Sequence, residues 1–240
     1  MNAKQLSKRL TRVADFVPQD AVVADIGSDH AYLPCYLLHK GIAARGVAGE
    51  VVKGPFESAK RQVREEGLSD RIAVRLASGL KAIEAEDGVT VVTIAGMGGS
   101  LIRSILETDM DKLAGVERLV LQPNVHAQTL RDWALLNGWH VTAEDILEEN
   151  NKIYEILVFE RRGGKGELTD AERLLGPYLL AECSPVFVSK WRHEIKQWKR
   201  ILASLEGLPE TEEMLMKKQE FTRNIELAEG VLGSEDSEWE

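Results

Sequence analysis

Between residues 21 and 160, short runs rich in Val, Ile and Ala alternate with longer stretches of helical periodicity, and no other feature restricts the fold as much. The runs predicted as strands are Ala21–Ile26, Arg45–Val51, Ile72–Ala77, Val89–Ala95, Glu117–Gln122, Trp139–Ile146 and Lys152–Glu160. The first five are short and mostly apolar, as strands covered by helices on both faces must be. Helices are predicted between them, over Tyr32–Lys40, Gly54–Glu66, Ser100–Glu107 and Ala127–Asn137. Parallel neighbours need such crossovers, so the pattern specifies a doubly wound α/β sheet. The last two strands have only the polar turn Glu148-Glu149-Asn150-Asn151 between them, which reads as an antiparallel hairpin. Five parallel strands closed by a hairpin depart from the plain dinucleotide-binding order, in which helices cross between all strands.

The charged, glycine-rich segment Arg161-Arg162-Gly163-Gly164-Lys165-Gly166 ends this pattern. The expected division is a sheet domain over residues 1–162 and a helical appendage over 163–240. Thr169 is placed to cap a helix running toward Glu182 with a kink at Pro177. Pro185 opens a longer helix through about Leu205, and Glu210–Leu232 forms another, with Gly207-Leu208-Pro209 as a tight turn between them. Ile195, Trp198, Leu202 and Leu205 face a partner stripe of Met214, Phe221, Ile225, Ala228 and Leu232, the pattern of a short antiparallel coiled coil. The acidic tail Ser234–Glu240 is expected to be disordered.

Several classes are set aside. The longest apolar runs fall short of the roughly 20 residues a membrane span requires, and the N-terminal residues lack a secretory core. Cys35 and Cys183 are far apart and lack metal-ligand spacing, so the expectation is a cytoplasmic protein with reduced thiols and no metal. The net charge of −9 argues at first against nucleic acid. That sum hides segregation, because Lys190–Arg200 holds five Lys or Arg against one acid, Glu194, with Trp191 and Trp198 interleaved.

The strongest local signal is Val22-Val23-Ala24-Asp25-Ile26-Gly27-Ser28-Asp29-His30-Ala31-Tyr32-Leu33-Pro34. A strand ends, a glycine turns the chain, and a helix begins, which leaves room for a ligand across the carboxyl edge of the sheet. A nicotinamide loop would carry further glycines where this chain has Asp29 and Tyr32. An acid there repels a pyrophosphate and attracts a cation. S-adenosylmethionine carries a sulfonium and an ammonium and no phosphate, and is the expected cofactor. Glu50 ends the second strand, where it either takes the hydroxyls of an adenosine ribose or is a surface acid. Ala77-Ser78-Gly79-Leu80 is either an adenine contact or a plain turn, whereas Ala95-Gly96-Met97-Gly98-Gly99-Ser100 exposes backbone beside the centre of the sheet. That second loop has no Walker lysine, so it is read as admitting the methionine end of the cofactor and the acceptor base. Gln122-Pro123-Asn124 closes the fifth strand beside it.

Together, D-I-G-S-D-H-A-Y-L-P, V-A-G-E-V, A-S-G-L, T-I-A-G-M-G-G and L-Q-P-N resemble the bacterial tRNA adenine-N1 methyltransferase family called TrmK. The resemblance runs from Leu6 to Leu157, and the helical tail fits by architecture rather than by motif. It implies a seven-stranded, Rossmann-like class I methyltransferase sheet, S-adenosylmethionine as cofactor, and adenine 22 of tRNA as the methylated base. It places Asp25, Gly27, Asp29, His30, Glu50, Ser78, Gly79, Gly96, Met97 and Gly98 at cofactor or active-site positions, with Ser28 and Val51 inside the same motifs. The loop after the fourth strand lacks the N/D-P-P-Y tetrad of many amino methylases, so base handling must differ from theirs.

Adenine N1 presents a lone pair at neutral pH and becomes cationic on methylation, so an anion nearby helps. Asp29 is the expected catalytic anion, with capping of the following helix as its other reading. His30 either touches the cofactor or is structural, and Tyr32 either borders the base pocket or packs on the sheet. Arg9 and Arg12 either hold RNA phosphate or are solvated; Asn124 is expected to line the cleft, and Lys190, Arg192 and Lys196 to grip tRNA. The target base must be swung out of a folded RNA. The chain is expected to act as a monomer or weak homo-oligomer. Three other readings stay open: an NAD-dependent oxidoreductase, a non-catalytic RNA-binding scaffold, and a small-molecule methyltransferase.

Overall fold

A computed structural model describes residues 2–206 and 211–233. The chain divides into two compact units, Met1–Gly166 and Glu167–Glu240. In the first unit the elements run α1 (Lys8–Asp15), β1 (Ala21–Ile26), α2 (Tyr32–His39), β2 (Ala43–Glu50), α3 (Lys53–Glu65), β3 (Ile72–Leu76), β4 (Val91–Met97), α4 (Gly99–Thr108), β5 (Arg118–Pro123), α5 (Ala127–Leu136), β6 (His140–Glu149) and β7 (Lys152–Glu160). They build one sheet in the order β3-β2-β1-β4-β5-β7-β6. Strands β1 to β5 are parallel, and β7 slots antiparallel between β5 and β6.

The strand order reverses between β1 and β4, and a sheet of this kind opens its crevice above such a switch point, at the carboxyl ends of the strands. The central strands are buried on both faces: Val23, Ala24, Val92, Ile94, Leu119 and Leu121 have no more than 0% of their surface exposed. The hairpin turn places Asn150 at φ 52° and Asn151 at φ 59°, the left-handed pair a two-residue turn of matching twist requires. Helix α1 is fixed to that hairpin at its N-terminus, where Glu149 accepts from the amides of Lys8 (2.6 Å) and Arg9 (3.4 Å). An acid at that end suits the exposed amides of a first helical turn.

Strand β4 runs two residues further than its apolar pattern implies, through Gly96 and Met97, with a register break between Ala95 and Met97. Gly96 takes φ 81° there. A bulge of this kind re-aims the strand end beside a site. Behind β6 and β7 lies a buried charge cluster that the sequence pattern hides. Arg131 of α5 donates to Glu144 and Glu155, both at 2.7 Å, and its side chain is fully enclosed.

Residues 163–166 belong with the sheet unit, since Lys165 pairs its backbone with Val141. In the second unit the segment expected as one kinked helix is two, α6 (Asp170–Leu175) and α7 (Pro177–Glu182), because Gly176 between them adopts φ 94°. Thr169 and Glu172 form a reciprocal capping box at the start of α6. Helices α8 (Pro185–Ser204) and α9 (Glu212–Leu232) follow, each capped by a hydroxyl, from Ser184 and Thr211. They pack together, burying Phe187, Trp191 and Ile195 of α8 and Ile225 and Ala228 of α9, with Lys199 to Glu229 at 2.6 Å. The Gly207-Leu208-Pro209 turn and the acidic tail Ser234–Glu240 lie outside the described residues.

Candidate active site

The crevice is built from the turns that follow β1, β2, β3, β4 and β5. After β1 the chain bends at Gly27 (φ 71°), and then places two non-glycine residues in the left-handed region, Asp29 (φ 52°) and Ala31 (φ 54°). Backbone of this kind costs about 1–2 kcal/mol per residue and persists only where surroundings enforce it. The enforcement is visible. Gly27 and Ser28 donate their amides to Gly49 O at 2.9 and 3.2 Å, Asp29 donates to the Glu50 carboxylate, and Ala31 donates to Ser28 O at 3.2 Å.

These bonds bear on the ligand. A pyrophosphate site needs loop amides pointing outward, and here the amides of Gly27, Ser28, Asp29 and Ala31 are all turned to protein acceptors. Carboxylates remain instead. Glu50 is only 6% exposed, and burial pushes its carboxyl above the usual glutamate range, opposed by the Asp29 amide. Asp29 itself points outward, with 68% of its side chain exposed, and lies 3.6 Å from His30 Nε2. It does not cap α2, whose N-cap is Ala31 without a side-chain bond, so the capping reading of Asp29 falls. The His30 ring stacks on Tyr32, centroids 5.2 Å apart at 21°.

Asp25 braces the turn from beneath. Its buried carboxylate accepts from Ser28 Oγ at 2.5 Å and Thr93 Oγ1 at 2.7 Å, tying the β1 turn to β4. Burial raises its pKa, and the two hydroxyls work against that rise. Thr93 was missed in the sequence. Its signal is a lone polar residue inside the apolar run Val91-Val92-Thr93-Ile94, where a hydroxyl needs a partner.

The loop after β4 is held peptide by peptide. Gln122, fully buried, accepts from Gly96 N at 3.0 Å and from the Arg9 guanidinium. Asn124 donates from Nδ2 to Gly96 O at 2.8 Å and from its amide to Met97 O at 2.7 Å. A Cβ on Gly99 would collide with the His126 carbonyl, so a glycine is needed there for close approach, whereas Gly27 is required by its left-handed φ of 71°. Gly98 caps α4 without a side chain. After β3, Ser78 is exposed and Gly79 turns at φ 56°. Val51, Val52, Leu76 and Val125, at the strand ends or the turns beyond them, and Leu101 in the first turn of α4, are between 51% and 67% exposed, an apolar rim suited to a flat ring.

Two basic residues have partners within the protein. Arg12 reaches Asp145 at 2.5 Å and Asp15 at 3.0 Å, so protein carboxylates already balance its charge. Arg9 faces inward to Gln122, with its guanidinium 5.3 Å from the Tyr154 ring, and acts as a strut for the β4 loop. Lys190, Arg192 and Lys196 sit on α8, in the separate helical unit. Trp191 there is 4% exposed and packs edge-on to Phe187 at 6.2 Å, which makes it core rather than a stacking platform for bases.

The model of the tRNA (adenine(22)-N(1))-methyltransferase family TrmK matches residues 23–230. This chain belongs to the TrmK family. It is 44% identical to the tRNA (adenine(22)-N(1))-methyltransferase of Bacillus subtilis strain 168 over 97% of this chain and 99% of that protein. Among solved structures, Streptococcus pneumoniae Sp1610, a putative tRNA (m1A22) methyltransferase in complex with S-adenosyl-L-methionine, superposes with TM-score 0.85 at 46% identity, covering 95% of this chain and 100% of that one. Mycoplasma capricolum TrmK bound to S-adenosyl-homocysteine superposes at 0.82 with 25% identity, over 95% and 99%. The TrmK family match spans both units, so α8 and most of α9 lie within the matched region. The TrmK crevice of this chain also fits a sulfonium nucleoside by its own chemistry: acids at Asp29 and Glu50, an apolar rim, and inward-turned amides.

Proposed function

We propose that the protein transfers a methyl group from S-adenosylmethionine to N1 of adenine 22 in tRNA. The observation that carries this reading is the β1 turn, where Glu50 and Asp29 present carboxylates and the loop amides face protein acceptors, in a chain of the TrmK family. That arrangement disfavours the nicotinamide reading, since no amide nest receives a pyrophosphate. Intact acids at Asp29 and Glu50 disfavour a non-catalytic scaffold.

Glu50 is the residue to hold the cofactor's ribose, and Val51, Leu76 and Ser78–Gly79 would bound its adenine. The Gly96-Met97-Gly98 backbone and the outward-facing Asp29 are left for the methionine end and the acceptor base. When bound, S-adenosylmethionine supplies a methyl group on a positively charged sulfur. The acceptor N1 needs no base, because its lone pair is free at neutral pH. Positive charge then develops on the adenine, and Asp29 is the anion placed to stabilise it. Arg9, Gln122 and Asn124 hold the β4 loop in one conformation, so the crevice is preorganised before the base arrives. Asp25, through Ser28 and Thr93, does the same for the β1 turn.

Lys190, Arg192 and Lys196 of α8 would contact tRNA phosphates, with α8 and α9 serving as a coiled-coil clamp. A tRNA substrate is in keeping with a cytoplasmic enzyme. The test is incubation of the protein with labelled S-adenosylmethionine and two unmodified tRNA transcripts, one with adenine at position 22 and one with guanine. Label confined to the first, as 1-methyladenosine, is expected; equal labelling of both, or of neither, overturns the reading.

A further inference from the structure

Helix α3 leaves the carboxyl edge of the sheet three residues after Glu50, so its first turn stands at the crevice mouth. It buries Ala59 and Val63 against the sheet. On the opposite side Lys53, Lys60, Arg61 and Arg64 are all exposed. At 100° per residue these four fall within about 100° of the helix circumference, and at 1.5 Å per residue the strip runs about 16 Å. Glu57 is the one acid inside that arc, so the face carries a surplus of positive charge on a chain whose net charge is −9.

Several arginines elsewhere in the sheet unit are already engaged. Arg12, Arg75, Arg103 and Arg118 each meet a carboxylate within 3.0 Å, and Arg131 meets two. Arg71 is spent on the carbonyls of Ala43 and Ala44. Among the described residues no ion pair is found for Lys53, Lys60, Arg61 or Arg64; Lys60 has only the Phe56 ring at 5.8 Å. A strip of unpaired cations beginning beside the crevice is a surface suited to a polyanion that must also deliver a base into it.

We propose that the outer face of α3 is a phosphate-docking ridge for the sugar–phosphate backbone of the tRNA, on the sheet unit itself and additional to the α8 contacts. The inference rests on the tRNA methyltransferase reading. Phosphate contacts carry no sequence information but fix orientation and dominate affinity, and each one releases counterions. The ridge therefore sets tRNA affinity and its salt dependence while leaving the cofactor untouched.

The test uses the full chain carrying Lys60→Ala, Arg61→Ala and Arg64→Ala together, with tRNA affinity measured over a series of salt concentrations and cofactor affinity by calorimetry. Loss of two or three phosphate contacts should weaken tRNA binding about 10-fold or more and flatten the slope of log Kd against log salt by about 0.7–0.9 per contact. Cofactor affinity should stay within about twofold, which also reports that the fold survives. The companion variant Arg61→Lys with Arg64→Lys keeps the charge and should keep the slope. Unchanged tRNA affinity and slope in the triple variant would overturn the ridge, as would weaker binding at an unaltered slope. Failure of the unsubstituted protein to methylate tRNA would instead strike at the functional reading beneath it.

Discussion

Glu50→Gln removes a charge from the crevice while leaving its shape, and its consequences can be worked through. The amide oxygen can still accept from the Asp29 N–H, so the β1 turn keeps its anchor. What disappears is an ionised acceptor for the two ribose hydroxyls. Hydrogen bonds to a charged group contribute about 1.5–3 kcal/mol and neutral ones about 0.5–1.5. Two weakened bonds therefore cost about 2–3 kcal/mol, a Kd for S-adenosylmethionine raised about 30- to 150-fold. Stability should move the other way. Burial raises the Glu50 pKa in the folded protein, so the native state holds that proton more tightly than the unfolded chain does. Between the unfolded and the raised folded value, stability falls as pH rises, and at neutral pH the ionised carboxylate is a net cost. The unliganded Glu50→Gln protein should then melt at or above the temperature of the unsubstituted one. Cofactor affinity in the unsubstituted protein should weaken on acidification as Glu50 takes up its proton, beginning above the ordinary glutamate range, and this component should vanish in the variant. Calorimetric titrations across about pH 5 to 8 read both effects. An unchanged Kd with an unchanged pH profile would refute the reasoning.

Asp29→Asn keeps a residue tolerant of the left-handed region and removes only the charge; kcat should fall about 100-fold with little change in cofactor affinity, and full turnover would remove Asp29 from the chemistry. Arg131→Met strands Glu144 and Glu155 in the interior. Denaturant unfolding should show a loss of about 3–5 kcal/mol. Lys190→Ala, Arg192→Ala and Lys196→Ala combined should weaken tRNA binding several-fold without moving cofactor affinity, and equal tRNA affinity would discard the α8 contact. Gly99→Ala forces a methyl group into the His126 carbonyl, so the start of α4 must shift; methyl transfer should fall and the melting temperature should drop measurably.

Much of this was legible from residues alone because hydrophobic periodicity and turn chemistry are local. β1 and β7 appear at the limits their apolar runs define, and Asn150-Asn151 forms the turn its composition implies. β4 was harder. Its apolar run ends at Ala95, whereas the strand continues through Gly96 and Met97 because Gln122 of β5 and Asn124 just beyond it supply bonds that no local pattern encodes. Gly176 splitting α6 from α7 was hidden behind the more conspicuous Pro177, which is acceptable in a first turn.

At the crevice, the identities of Asp29, Glu50 and the glycines could be read from spacing, but their division of labour could not. Asp25 and Arg9 look like ligand contacts in a linear motif. Only the fold brings Thr93 to one and Gln122 to the other, which gives each a supporting part that the motif does not show. The carboxylate partner of Arg12 was hidden for the same reason, since Asp145 lies on a strand 133 residues away in the chain. Trp191 reads as an RNA platform beside Lys190 and Arg192 until its burial against Phe187 is seen.

The most direct measurement is a crystal structure of the protein grown with saturating S-adenosylhomocysteine. The ribose hydroxyls should lie within hydrogen-bond distance of Glu50, the adenine between Val51 and Ser78–Gly79, and the amino acid end against Gly27 and the Gly96-Met97-Gly98 backbone. A nucleoside lodged elsewhere, or no nucleoside bound despite saturation, would contradict the account.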